Sequence, residues 1–350
     1  MVTINDLRRH AIAATLFAPT TLVQAIERLG FVQCDPIRAP ARAQDLILRQ
    51  RVSGYHAGDL ERLYPQLRLE EDYLYAYGVM PEATWRLLHP RSAKRLGKTE
   101  EKVLQLVSAQ PHMHPRELEA HLGRKREVNL WGGYSKATTR RLDALHYRGL
   151  LRIAGREKGI RLYQAARPQE EYLTPAERLQ KLVLLIASIL SPVPERSLRA
   201  ALRHLAHAAP SVKWHPRVLK QMLSEGDLSG AEVAGVQYVW PAGELMRDAP
   251  PAQVRFLAPF DPLVWDRARF EQFWGWAYRF EAYTPPAKRQ LGYYAMPLLW
   301  GEQVIGWVNV TKQAGGFEVT PGFVKKKPTD RLFRQAFESE IDSLTKFLKP

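Results

Sequence analysis

The sequence contains a single cysteine, Cys34, in 350 residues. An internal disulfide and a cysteine-based zinc site are therefore excluded, and the composition fits the reducing cytoplasm. The sequence also lacks the run of roughly 20 apolar residues that a membrane-spanning helix needs, and its first residues lack the apolar stretch of a signal peptide. We therefore expect a cytoplasmic protein without a membrane partner.

Two nucleotide-binding motifs are also missing. Neither a G-x-x-x-x-G-K-[ST] phosphate loop nor a G-x-G-x-x-G fingerprint occurs. His112, His114 and His121 have no cysteine partner and no recognisable ligand spacing, so we interpret them as exposed or helix-capping residues and not as a metal site. The sequence thus predicts no cofactor and no metal.

Acidic residues are few relative to basic ones. Lysine and arginine number 51 against 36 aspartate and glutamate residues, which gives a net charge of +15. An excess of this size favours a polyanionic partner, although a merely soluble basic surface would have the same composition. With 45% hydrophobic residues, the chain can form several domains with their own cores.

The middle of the chain has the clearest pattern. Apolar residues have helical spacing in three consecutive segments: TEEKVLQLVSAQ, HPRELEAHLG and SKATTRRLDALHYRGL. The predicted N-caps are Thr99 for the first helix and Ser135 for the third, and Gly149 ends the third helix. LLRIAGR and IRLYQAA then alternate around a Lys-Gly turn, which predicts a hairpin. Three helices followed by a hairpin are typical of a winged helix-turn-helix module.

This order recurs along the chain until strand-like segments, among them VRFLAPFDPLVWD and YRFEAYTP, follow from Val254. We predict a mainly α fold with β structure: tandem winged-helix modules, then a small C-terminal antiparallel β-domain with a terminal helix. The predicted domains are a divergent N-terminal winged-helix module (1–98), a winged-helix DNA-binding module (99–168), a third, winged-helix-like module (169–250), and the β-domain and helix (251–350).

Basic and hydroxyl side chains concentrate in residues 38–51, at the start of the helix that follows Ser135, and at the hairpin. These positions suit contacts to phosphates or base edges, although the bland alternative is a solvated basic face. The predicted DNA-binding residues are Arg38, Arg42, Arg49, Arg51, Lys136, Thr138, Thr139, Arg140, Arg141, Arg156, Lys158 and Arg161.

An amide and a carboxylate stand two residues apart in the segment GFVQCDP. In an extended chain Gln33 and Asp35 project to one face, while Cys34 points away as a small apolar residue. Such a pair can hold a water molecule and stabilise positive charge, as cleavage of a glycosidic bond requires. The alternative is structural, because Asp-Pro often starts a turn and Asp35 could cap the next helix.

A second group of acidic residues is interpreted differently. Glu70, Glu71 and Asp72 are consecutive, and a helix macrodipole favours carboxylates at its first turn. We therefore predict that they begin a helix and are not catalytic.

Several segments together resemble one family. VQCDP resembles the QxD motif of the YcaQ (AlkX) branch of the AlkZ/YcaQ bacterial DNA glycosylases, and so do EEDYLYAYG, SKATTRRLDALHYRGLL and the long segment from LAPFDPLVWD to GWVNV. The sequence departs from that family at Gln44 and Asp45, where a histidine pair is frequent. Cys34 and Pro36 also replace the more usual aliphatic and hydroxyl residues.

The resemblance implies tandem winged-helix modules, a C-terminal β-domain and a monofunctional DNA glycosylase. The implied substrates are N7-alkylated guanines and interstrand crosslinks in double-stranded DNA, with Asp35 activating a water molecule that Gln33 helps to position. We expect a monomer. Two other hypotheses remain at this stage: a non-catalytic winged-helix DNA-binding protein, such as a transcriptional regulator, and an adaptor whose β-domain binds another protein.

Overall fold

The computed structural model describes residues 1–92, 94–123, 126–128, 134–167, 173–243, 245–246, 248–313, 316–324 and 326–349. The chain divides into two compact units. Unit 1 comprises Met1–Leu60, Gln180–Arg203 and His215–Pro350, and unit 2 comprises Glu61–Leu179 and His204–Trp214. The predicted domain boundary between residues 168 and 169 lies outside the described residues. Within these ranges, no helix is long and apolar enough to cross a lipid bilayer.

The helices and strands follow one another in this order. The first part of the chain forms α1 (Ile4–Thr15), α2 (Leu22–Leu29), β1 (Val32–Gln33), α3 (Ala43–Leu48), α4 (Asp59–Leu63), β2 (Leu69–Tyr73), β3 (Tyr77–Pro81) and α5 (Glu82–Leu88). The middle forms α6 (Lys98–Ser108), α7 (Pro115–Leu122), β4 (Arg126–Val128), β5 (Tyr134–Lys136), α8 (Ala137–Tyr147), β6 (Leu151–Glu157) and β7 (Ile160–Ala165).

The remaining elements complete the chain. They are α9 (Pro175–Ile189), β8 (Val193–Pro194), α10 (Glu195–Leu202), α11 (Leu205–Ala208), α12 (Arg217–Glu225), β9 (Leu228–Val233) and β10 (Val236–Pro241). After them come β11 (Val254–Phe256), α13 (Pro262–Trp265), α14 (Arg267–Trp274), β12 (Met296–Trp300), β13 (Gln303–Gln313), β14 (Gly316–Phe323) and α15 (Arg331–Leu348).

Unit 1 contains the predicted C-terminal antiparallel sheet, in the strand order β11-β12-β13-β14, with α15 packed against β11 and β14. Its core joins the N-terminal helix to this part of the chain, because Leu7 and Ala11 of α1 are buried with Phe270 and Phe273 of α14. A second sheet, in the order β8-β10-β9, contributes Tyr238 to the same core.

Unit 2 contains helices α6, α7 and α8 and the hairpin β6-β7 at the predicted positions. The starts of two helices differ from the prediction. α6 begins at Lys98, and α8 begins at Ala137 with Lys136 at its N-cap, because the residues before Ala137 continue strand β5. The N-cap of α7 is His114, whose Nδ1 accepts the Arg116 N–H at 3.0 Å, so its capping interpretation is confirmed.

The acidic residues Glu70, Glu71 and Asp72 lie in strand β2, so the prediction that they begin a helix is wrong. All three carboxylates are buried, and cations distant in sequence compensate them. Glu70 lies 2.7 Å from Arg152 Nε, and Glu71 accepts two hydrogen bonds from the Arg156 guanidinium. The sequence pattern showed the charges but not the arginines, which belong to the hairpin β6-β7.

Asp72 is the centre of a buried network in unit 2. Its Oδ1 accepts a hydrogen bond from Arg91 at 2.8 Å, and its Oδ2 lies 3.0 Å from His89 Nε2. Burial lowers the pKa of His89 to about 4 although the carboxylate of Asp72 acts in the opposite direction. His89 is therefore neutral at pH 7 and donates its Nε2–H to Asp72.

This depressed pKa predicts acid sensitivity. The unfolded chain binds a proton at His89 near pH 6.5 and the folded chain only near pH 4, so stability falls as the pH drops through that window. The loss expected from His89 is about 3 kcal/mol. We expect His89→Gln, which keeps a donor for Asp72, to lose less stability than the wild type between pH 7 and pH 4.5. Thermal unfolding at several pH values measures the difference, and parallel curves for the two proteins would contradict it.

The segment between α14 and β12 also differs from the prediction. YRFEAYTP is not a strand, and RARFEQFW forms the helix α14. Glu281 stabilises the loop that is present instead, because its Oε2 accepts the backbone N–H groups of Gln290, Leu291 and Gly292 at 2.7–3.2 Å. One buried carboxylate thus holds a compact loop, and its backbone partners cannot be read from the sequence.

Candidate active site

Gln33 reaches its position through a sharp helix end. α2 begins with a capping box between Thr21 and Gln24 and ends at Gly30, which has φ 70°. A Cβ at Gly30 would lie 2.5 Å from Leu185 Cδ1, so a larger residue would disturb this turn. The chain then extends through β1, and the Gln33 Oε1 atom is buried without a hydrogen-bond partner among the described residues.

Asp35 is half-buried directly after this strand. Its Oδ1 accepts the Ile37 N–H at 2.9 Å, so the turn considered as the structural alternative is present. No hydrogen bond from the described residues reaches its Oδ2. Burial raises the pKa of the Asp35 carboxyl, and the Ile37 hydrogen bond offsets this only in part. Asp35 therefore stabilises a turn through Oδ1, while Oδ2 is available to a ligand.

Gln44 and Asp45, which depart from the family pattern, support this turn from α3. Gln44 Oε1 accepts the Asp35 backbone N–H at 3.3 Å, and both side chains are buried. Asp45 Oδ1 accepts the Tyr55 hydroxyl at 2.7 Å and the Gly58 N–H at 3.2 Å. In this protein the two positions therefore hold backbone and neighbouring side chains in place.

A tyrosine from the other end of unit 1 lies near Asp35. Burial, and next the charge of Asp35, raise the pKa of Tyr294 well above its usual value. Its ring packs edge-on against Phe280, with 5.3 Å between the ring centroids. Tyr294 follows the loop that Glu281 holds. Tyr294 could not be predicted as a site residue, because nothing in QLGYYAMPLLW distinguishes it from its neighbour Tyr293.

Two further tyrosines of this region are exposed. Tyr283 is 78% exposed and Tyr293, the sequence neighbour of Tyr294, is 44% exposed. The Arg289 guanidinium lies over the Tyr293 ring, 5.0 Å from its centroid. Exposed aromatic rings next to a cation are suited to contact nucleobases and phosphates.

Of the four predicted DNA-binding arginines that follow Asp35 in the sequence, two are enclosed in the fold. Arg38 is exposed, and Arg42 lies at the N-cap of α3. The Arg49 side chain is 2% exposed and donates to Glu340 Oε1 at 2.9 Å. Arg51 is 0% exposed and donates two hydrogen bonds to Asp261 at 2.8 and 3.0 Å. We correct the assignment of Arg49 and Arg51, because side chains enclosed with carboxylates cannot reach a phosphate.

The predicted DNA-binding residues of unit 2 also include both exposed side chains and side chains that are enclosed in the fold. Lys136, Arg140 and Lys158 are exposed, whereas Thr138 is buried. Arg156 binds the buried Glu71, so it holds the hairpin rather than extending from its tip. Thr139, Arg141 and Arg161 are partly exposed, and the Arg161 guanidinium lies 4.7 Å from the centroid of the Tyr77 ring.

Comparison with known proteins gives two findings. A family model described as "DNA glycosylase AlkZ-like" matches residues 26–347. Among solved structures, the chain is similar to Streptomyces sahachiroi DNA glycosylase AlkZ, with a TM-score of 0.65, 16% sequence identity, and coverage of 99% of this chain and 96% of that chain. The family match includes Gln33, Asp35 and Tyr294, and the structural match shows a shared fold.

Proposed function

The chain belongs to the AlkZ-like family of DNA glycosylases, and from this premise we propose that it hydrolyses the N-glycosidic bond of N7-alkylated guanine in duplex DNA. The observation that carries the proposal is the half-buried Asp35, one of whose carboxylate oxygens holds a turn while the other is available to a ligand. Gln33, two residues earlier, has a buried amide oxygen that needs a partner.

The proposed reaction uses Asp35 as a base and as a source of negative charge. The bond between C1′ and N9 breaks through a transition state resembling an oxocarbenium ion, and the Asp35 carboxylate stabilises the positive charge on the sugar. The water oxygen attacks C1′ and one water proton passes to Asp35 Oδ2. Gln33 holds the same water through its amide oxygen.

The leaving group explains why a single carboxylate suffices. An N7-alkylated guanine is already cationic, and the electron pair of the broken bond neutralises it, so little help from a general acid is needed. The product is an abasic site in an intact strand, and no lysine Schiff base is required. The enzyme is therefore monofunctional under this proposal.

The same bond cleavage unhooks interstrand crosslinks. When an alkyl bridge joins the N7 atoms of two guanines, hydrolysis of either glycosidic bond removes the covalent connection between the two strands. The exposed rings of Tyr283 and Tyr293 support contact with DNA beside Asp35, because they lie in the same part of unit 1.

A base-release assay tests this proposal directly. Purified protein is incubated with duplex DNA carrying 7-methylguanine or a nitrogen-mustard crosslink, and released base and strand separation are both measured. We expect release of free 7-alkylguanine, with strand breaks appearing only after alkali treatment. Saturable DNA binding without release from either substrate would favour the non-catalytic DNA-binding hypothesis.

We also propose that residues 98–165 form a winged helix-turn-helix module that binds the DNA backbone. Helices α6 to α8 and the hairpin β6-β7 support this, and the hairpin turn places Lys158 (φ 51°) and Gly159 (φ 80°) at its tip. Paired positive φ angles are typical of the tight turns that join two strands. Lys158 is exposed at this tip.

We expect Lys158→Ala to weaken DNA binding to a similar degree for all sequences. Loss of one phosphate contact should reduce the slope of log affinity against log salt concentration by about 1. DNA affinity measured by fluorescence anisotropy at salt concentrations between about 50 and 200 mM gives this slope. Lys220→Ala is the matched control, because Lys220 is an exposed lysine on α12 of the third predicted module. Equal slopes for Lys158→Ala and the wild type would remove Lys158 from the interface.

A further inference from the structure

Tyr294 has a buried hydroxyl that the fold does not use. The residue is 4% exposed, and its hydroxyl has no hydrogen-bond partner among the described residues. A buried hydroxyl without a partner costs free energy. By contrast, the nearby Tyr278 hydroxyl donates to the Ala295 carbonyl at 2.7 Å.

The position of Tyr294 is nonetheless fixed from several sides. Its ring stands at 90° to that of Phe280, which in turn packs against Phe260 at 5.1 Å between centroids. Three consecutive N–H groups bonded to Glu281 hold the loop before it, and strand β12 begins two residues after it. A rigidly held polar group without a partner points to a ligand.

We propose that Tyr294 is a further active-site residue, whose hydroxyl donates a hydrogen bond to the water molecule that Asp35 deprotonates. This inference rests on the proposed function, since it places Tyr294 in the same hydrolysis. The observation that carries it is the unpartnered buried hydroxyl, and the charge of Asp35, which raises the pKa of Tyr294, supports it.

The hydrogen-bonding capacity of water fits these three side chains. A water molecule has two protons and two lone pairs, and buried waters in proteins make about three hydrogen bonds. Its protons are directed to Asp35 Oδ2 and to Gln33 Oε1, both of which lack a partner among the described residues. Tyr294 occupies one lone pair, which leaves the other to attack C1′. The tyrosine thereby fixes the direction of attack.

Tyr294 is suited to remain a donor. Burial and the neighbouring negative charge both raise the pKa of its hydroxyl, so it stays protonated at neutral pH. It therefore does not compete with Asp35 for the water proton. The two groups differ in role because the same environment keeps one neutral while the other is ionised at neutral pH.

The variant Tyr294→Phe tests the inference, with Tyr64→Phe as the matched control. Tyr64 is 2% exposed and also has a buried hydroxyl without a partner among the described residues, but the carboxylates that act on it are Glu71 and Glu70 in unit 2. We expect Tyr294→Phe to slow single-turnover base release by about threefold to tenfold, the effect of losing one hydrogen bond between neutral groups. DNA affinity and melting temperature should stay at wild-type values or above. Tyr64→Phe should release base at the wild-type rate.

Two kinetic results would overturn the inference: a wild-type rate in Tyr294→Phe, or an equal loss of rate in both variants. A crystal structure of the wild-type protein tests the inference without a measurement of activity. A water within hydrogen-bond distance of both Tyr294 Oη and Asp35 supports the inference, and a hydroxyl bonded directly to a protein group contradicts it. If the wild type shows this water but releases no base from either substrate, the proposed function fails and the catalytic role of Tyr294 fails with it.

Discussion

Asp35→Asn is expected to lower the rate of base release by about a thousandfold, within the range that general-base catalysis contributes. The substitution leaves an Oδ1 that can still accept the Ile37 N–H, so the turn is retained. What it removes is the negative charge and the ability to accept the water proton. Single-turnover release of 7-methylguanine from duplex DNA measures the effect.

The raised pKa of Asp35 leads to one expectation for the pH dependence of wild-type activity and one for the stability of the variant. Because the base must be ionised, wild-type activity should fall on acidification at a higher pH than an ordinary aspartate would give. For stability, a carboxyl whose folded pKa is raised favours the folded state only while it is protonated, and this contribution is lost as the pH rises through the folded pKa. At pH 7 the neutral asparagine should therefore melt at the same temperature as the wild type or higher.

Asp330→Asn is the control for loss of one negative charge. Asp330 is exposed, and its Oδ1 caps α15 by accepting the Phe333 N–H at 2.8 Å, a bond that asparagine also makes. We expect full activity in this variant. Undiminished release by Asp35→Asn would refute the assignment of Asp35, and a loss of DNA affinity as large as the loss of rate would assign it to binding.

Local signals predicted the helices well. Gly123, at the end of HPRELEAHLG, is the glycine that a helix C-terminus favours, and α7 ends at the residue before it. The C-terminal antiparallel sheet and its terminal helix are likewise confirmed, because strand-like composition and helical periodicity are properties of short segments.

Interactions between distant segments could not be predicted. The adjacent carboxylates of strand β2 are typical of a helix start, and only Arg152 and Arg156 of β6, together with Arg91 and His89, make their burial possible. In the same way, Tyr294 lies near Asp35 although 259 positions separate their numbers in the sequence. The candidate site was therefore predictable for Gln33 and Asp35, which share one segment, but not for the tyrosine.

Arg51 was predicted to bind DNA from its charge, but its side chain forms a buried ion pair. Its guanidinium donates to the Thr15 and Ile47 carbonyls at 2.6 and 2.7 Å as well as to Asp261, which is also 0% exposed. Asp261 in turn caps α13 by accepting the Leu263 N–H at 3.1 Å. The pair therefore connects the N-terminal segment that contains Asp35 to the C-terminal part of unit 1, 210 positions away.

We expect Arg51→Met to lower the free energy of unfolding by about 3–5 kcal/mol, because it leaves the Asp261 carboxylate buried and unpaired. The double variant Arg51→Met/Asp261→Leu should lose less than the sum of the two single losses, since it removes both charges. Chemical denaturation of all three variants measures this coupling.

Arg38→Met is the matched control: Arg38 is exposed, so its loss should weaken DNA binding and leave stability unchanged. If Arg51→Met instead weakened DNA binding like Arg38→Met and cost under about 1 kcal/mol, Arg51 would be a DNA contact after all, since that is the stability contribution of an exposed pair.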